Sequence, residues 1–114
     1  MERHGHTLGA IADAVGGELI GDPDAWVEHL VVDTRKPLPH DGALFIALKG
    51  PHHDGHGYME EMRARGVREF LITGTSPTPS GANTIVVRDS WDALHRMAAW
   101  HRGHFNSPVI GITG

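Results

Sequence analysis

The stretch Gly50–His56, "GPHHDGH", places three histidines and one aspartate within seven residues. Imidazole can ligate a metal, move a proton or donate a hydrogen bond. His52 and His56 are spaced i, i+4, like two zinc ligands on a helix. Pro51, Gly55 and Gly57 argue against a helix running through this stretch, and no HExxH pattern is present. A different chemistry fits the same residues. Lys49, His52, His53 and His56 can donate to diphosphate oxygens, and Asp54 can accept from ribose hydroxyls or an imide N–H. Gly50, Gly55 and Gly57 allow close approach of a ligand. A helix starting near His56 or Gly57 would add free N–H groups and a partial positive charge.

A second candidate is "VVDTRK", residues 31–36. An apolar run ends at Asp33, and Thr34 and Arg35 follow directly. Arg35 can grip a phosphate or carboxylate in a bidentate way, and Thr34 offers a donor and an acceptor. The plainer reading is an Asp33 turn with a solvated Arg35. A third is the terminal "VIGITG", where an apolar run enters Thr113-Gly114 as a phosphate-binding loop begins. Ending in such a run suggests an N-terminal piece of a longer protein. Nucleophilic catalysis has little support: there is no cysteine and no Gly-x-Ser-x-Gly elbow. His95, His101 and His104 read as residues of the last helix. His4 and His6 lie near the terminus and can bind metal adventitiously.

These stretches need elements to position them. Thr7 reads as the N-cap of a helix carrying Leu8, Ile11, Ala12 and Val15, stopped by Gly16-Gly17. "GELIGDPDA" predicts a short strand and a turn, and Val27–Asp33 a strand. "ALFIAL", Ala43–Leu48, is bounded by Gly42 and Gly50 and predicts a strand buried on both faces. Tyr58, Met59 and Met62 mark a helix ending near Gly66. "REFLITG" and "TIVVRD" predict strands, with "TSPTPSGAN" a surface loop between them. Asp89 or Ser90 caps a helix whose inner stripe is Trp91, Leu94, Met97, Ala98 and His101. "SPVIGITG" predicts a last strand. The methionines and tryptophans read as core. The order α-β-β-β-α-β-β-α-β, with short strand-helix-strand units, predicts one small α/β domain with a mostly parallel central sheet flanked by helices.

Bulk properties agree. The 114 residues suggest one domain. The net charge of −4 disfavours general nucleic-acid binding. The absence of cysteine fits a reducing cytoplasm. "MERHGHTLG" is not a secretory signal, and no apolar stretch approaches the roughly 18 residues of a membrane span.

Taken together, Asp33-Thr34-Arg35, the run from Gly42 to Gly50, Asp54-Gly55-His56 and Gly66 resemble the N-terminal domain of the Mur ligases of peptidoglycan synthesis. Within that family the wording is most like the branch that adds D-alanyl-D-alanine, in the form fused to an alanine racemase. The resemblance implies that residues 1–107 bind the UDP-sugar substrate. It implies that 108–114 are the first strand and the start of the phosphate loop of a truncated ATP-binding central domain. Thr34, Arg35, Lys49, His52, His53, Asp54, Gly55 and His56 would then surround UDP-N-acetylmuramoyl-tripeptide, and Thr113 and Gly114 would begin the ATP site. ATP and magnesium are implied for the full-length enzyme and neither for this piece, which would hold no catalytic residue and no metal ligand and be inactive alone. D-alanyl-D-alanine is the implied co-substrate; nucleic acid and membrane are not implied partners. The implied setting is the bacterial cytoplasm. The related ligase adding the third stem-peptide residue shares much of this pattern. A histidine-loop metal protein and a non-catalytic nucleotide-binding module stay as rivals from other classes.

Overall fold

Thr7 sits in extended backbone, and its hydroxyl accepts the Ala10 N–H at 3.2 Å, so it caps helix α1 (Leu8–Val15). Leu8, Ile11, Ala12 and Val15 are buried, as their spacing predicts. Gly16, at φ 67°, takes the left-handed conformation that closes the helix. The computed structural model describes residues 5–32, 42–48, 55–74, 81–104 and 111–113.

The strands are β1 (His6–Thr7), β2 (Glu18–Ile20), β3 (Trp26–Val27), β4 (His29–Val31), β5 (Ala43–Ile46), β6 (Glu69–Thr73), β7 (Asn83–Val87) and β8 (Gly111–Thr113). Two further helices are α2 (Met59–Ala64), preceded by a 3-10 turn over Gly55–Tyr58, and α3 (Ser90–His104). Six strands form one sheet in the order β2-β7-β6-β5-β4-β8. Only β2 runs antiparallel to its neighbour; the other pairings are parallel. The predicted mostly parallel α/β domain is what the chain forms.

The strand predicted over Val27–Asp33 is corrected. It divides at Glu28 into β3 and β4, which belong to different sheets, β3 pairing with β1. The N–H groups of Glu28 and His29 both donate to the Gly42 carbonyl, at 2.8 and 3.0 Å. Two successive N–H groups cannot converge on one acceptor in a regular strand, so the chain bends there. Gly42 takes φ 73°, and a Cβ on it would stand 3.2 Å from the Glu28 nitrogen.

β5 is buried at every residue. Its side chains alternate between two cores, one per sheet face. Leu44 and Ile46 join Leu30, Leu71, Ile85 and the inner residues of α1 and α3. Phe45 joins Val31, Phe70, Ile72 and the α2 residues Met59 and Met62. The inner face of α3 differs from the expected stripe. Ser90, Ala93 and Met97 are buried, whereas Trp91 is 48% exposed. Rotation of 100° per residue carries position 91 off the face that 90, 93 and 97 share. His101 side-chain placement lies outside the described residues.

The opposite, N-terminal edge of the sheet holds a polar clamp. Asn83 accepts the Asp22 N–H through Oδ1 at 2.9 Å and donates through Nδ2 to Glu69 Oε2 at 3.3 Å. Burial pushes the Glu69 carboxyl above its ordinary value of 4.5, against the lowering effects of Asn83, Arg68 and Arg63. Folding therefore favours the protonated form. That contribution is fully present below the unfolded value and is lost as pH rises through the higher folded value. Glu69→Gln keeps an acceptor for Asn83 and cannot ionise. Urea unfolding at successive pH values from 4 to 7 should show wild-type stability falling relative to this variant as pH rises. Parallel profiles would contradict the assignment.

Candidate functional site

β4 and β5 are parallel neighbours in register, with Val31 beside Phe45. β8 flanks β4 on its other side, with Thr113 beside Val31. The C-terminal ends of three strands therefore lie at the same edge of the sheet: Val32 follows β4, Ala47 and Leu48 follow β5, and Thr113 ends β8. Adjacent strands lie about 4.8 Å apart, so Val32 and Leu48, the last described residues before the two candidate stretches, follow neighbouring strand ends. The C-terminal edge of a parallel sheet is where such folds bind ligands.

Thr34, Arg35, Lys49, His52, His53, Asp54 and Gly114 lie outside the described residues. Gly55 and His56 begin the 3-10 turn that leads into α2. The backbone of Thr113 belongs to β8. The α-helix itself starts at Met59, not at His56 or Gly57, and has no side-chain cap. Glu60 and Glu61 already occupy its first turn. Their charges answer the helix dipole, so the helix end itself is not an anion site. Gly57 has nothing within 4 Å of where a Cβ would stand, and its φ is not positive. Among the described residues, packing places no demand for glycine at that position.

Behind this edge, Ser90 donates its hydroxyl to the Ala47 carbonyl at 2.8 Å, in a buried contact. Asp89 Oδ1 accepts the N–H groups of Trp91 and Asp92, at 2.9 and 3.3 Å, and so caps α3. Sequence reading finds the cap but not the Ser90 contact, because nothing local tells position 90 that position 47 lies nearby. Among the described residues no three His, Asp or Glu side chains gather as a metal-holding group. No helix among them is long and apolar enough to cross a membrane.

No family model matches the chain. Individual proteins do. Over 108 residues, 95% of this chain, it is 33% identical to UDP-N-acetylmuramoyl-tripeptide–D-alanyl-D-alanine ligase of Escherichia coli strain K12. A 36% identity over 96 residues links it to UDP-N-acetylmuramoyl-L-alanyl-D-glutamate–2,6-diaminopimelate ligase of Geobacter sulfurreducens. The chain spans 23% and 18% of the lengths of these two relatives. MurF of Acinetobacter baumannii has the same fold, with a TM-score of 0.74 over 88% of this chain and 21% of that one, at 24% identity. The chain is thus a relative of the N-terminal domain of the Mur ligases. Within them its likeness is to the D-alanyl-D-alanine-adding ligases, 32% identity to the Bacillus subtilis strain 168 enzyme over 111 residues included.

Proposed function

We propose that this chain is the substrate-holding domain of an ATP-dependent ligase that joins D-alanyl-D-alanine to UDP-N-acetylmuramoyl-tripeptide in the bacterial cytoplasm. The observation that carries the reading is the in-register parallel pairing of β4 and β5. It sets the C-terminal ends of β4 and β5 side by side at one sheet edge, and in the sequence the Asp33-Thr34-Arg35 and Lys49–His56 stretches follow these two strands. On this reading Arg35, Lys49 and the histidines His52, His53 and His56 meet the diphosphate, while Thr34 and Asp54 meet ribose or uracil, with Gly55 allowing close approach.

The work of such a domain is binding and positioning. Gripping the nucleotide end fixes the distant peptide carboxylate against the activating phosphate elsewhere in the enzyme, and so lowers the entropy cost of the encounter. On this reading residues 1–107 make up this domain, and residues 108–114, whose β8 adds to its sheet beside β4, lead into the next, with Thr113 and Gly114 opening its phosphate loop. ATP and magnesium belong to that further part.

The related ligase for the third stem residue is a second reading, supported by the likeness to the Geobacter sulfurreducens enzyme. Titration of the 15N-labelled chain decides. UDP-N-acetylmuramoyl-tripeptide should shift the amides of 33–35 and 49–57, and more tightly than the dipeptide form. Preference for the dipeptide form would favour the second reading. Absence of any shift, together with stoichiometric zinc binding lost in His56→Ala, would replace both with a metal protein.

A further inference from the structure

We propose that Ser90 is a positioning residue for the ligand-binding stretch that follows β5, an inference that rests on the function proposed above. Serine at the start of a helix ordinarily caps it. Here that task is done by Asp89, whose carboxylate takes the Trp91 and Asp92 N–H groups. The Ser90 hydroxyl, 3% exposed, is turned to a partner 43 positions away, the Ala47 carbonyl.

The place of that partner gives the contact its consequence. Ala47 is the first residue beyond β5, and its N–H donates to Leu71 of β6 at 3.0 Å. Both polar groups of its backbone are therefore held, one by β6 and the other by the first turn of α3. Ser90 follows β7, and β6 lies between β7 and β5 in the sheet. The bond thus reaches past one strand end to fix the direction in which the chain leaves the next. Only Leu48 separates Ala47 from Lys49, the first residue assigned to the ligand. A hydroxyl far from the nucleotide in sequence sets the base of the stretch that grips it.

Ser90→Ala removes the donor and leaves a buried carbonyl without it; Ser90→Thr keeps a hydroxyl. Two readouts on the 114-residue chain separate positioning from plain stability. In hydrogen exchange without ligand, the Leu48 and Gly57 amides should exchange faster in Ser90→Ala, by a larger factor than the Phe70 amide in the core. In titration with UDP-N-acetylmuramoyl-tripeptide, Ser90→Ala should bind more weakly, by up to about tenfold, the limit in which the whole of the lost hydrogen bond had gone into preorganising the stretch, and Ser90→Thr should recover most of it. The inference is overturned if Ser90→Ala binds like wild type, or if exchange rises equally at Phe70 and Leu48. Should wild type itself fail to bind, the proposed function falls, and the exchange at Leu48 still decides the positioning role: an unchanged rate overturns it.

Discussion

Replacing Phe45 by alanine should cost the domain about 3–5 kcal/mol, the range for removing a buried phenylalanine from a packed core. Phe45 is fully buried on β5, inside the six-stranded sheet. Its ring meets Phe70 edge-on, at a centroid distance of 6.2 Å and an interplanar angle of 79°. It shares its core with Val31, Met59 and Met62, so one ring joins β4, β5, β6 and α2. Domains of this size are stable by about 5–15 kcal/mol, so the variant should lie near the limit of folding. Urea unfolding should show a large drop in midpoint with the denaturant slope unchanged. A loss under about 1 kcal/mol would mean that the core collapses around the gap.

Much of this architecture is legible in the residues because it is decided locally. Thr7 and Gly16 bound α1 through bonds spanning three or four positions. The apolar run at Ala43–Leu48 has no polar side chain to offer solvent, so a strand covered on both faces is its natural outcome. Met59 and Met62 share a face by helix geometry alone. Features decided by distant partners are not legible. The break at Glu28 depends on the carbonyl of Gly42, and the β1–β3 pair on two-residue strands too short to show a period. The Glu69–Asn83 clamp needs the register of β6 and β7. Trp91 differs for another reason: its apolar side chain suggests the inner stripe of α3, whereas the turn of the helix carries it outward. For the site, the residue types are visible in sequence, and their meeting is not. Strand order alone makes the ends of β4 and β5, which precede the two candidate stretches, neighbours.

Arg35→Ala should weaken binding of UDP-N-acetylmuramoyl-tripeptide by about 10- to 100-fold, the loss expected when a charged hydrogen-bonding partner of a phosphate is removed. The residue follows β4 by four positions, beyond its last buried side chain, so the midpoint of unfolding should move little. This contrast distinguishes it from Phe45. Arg35→Lys tests the geometry: an ammonium keeps the charge but not the two parallel donors, so it should recover only part of the affinity. In a complete ligase carrying this domain, the grip on the nucleotide is the same before and during the chemical step. Its loss should therefore raise KM for the UDP-linked substrate and leave kcat nearly unchanged. KM for D-alanyl-D-alanine should stay as it was, because that substrate makes no use of the handle. A fall in kcat at constant KM would place Arg35 in the chemistry instead of the anchor, and a change under about threefold would remove it from the pocket.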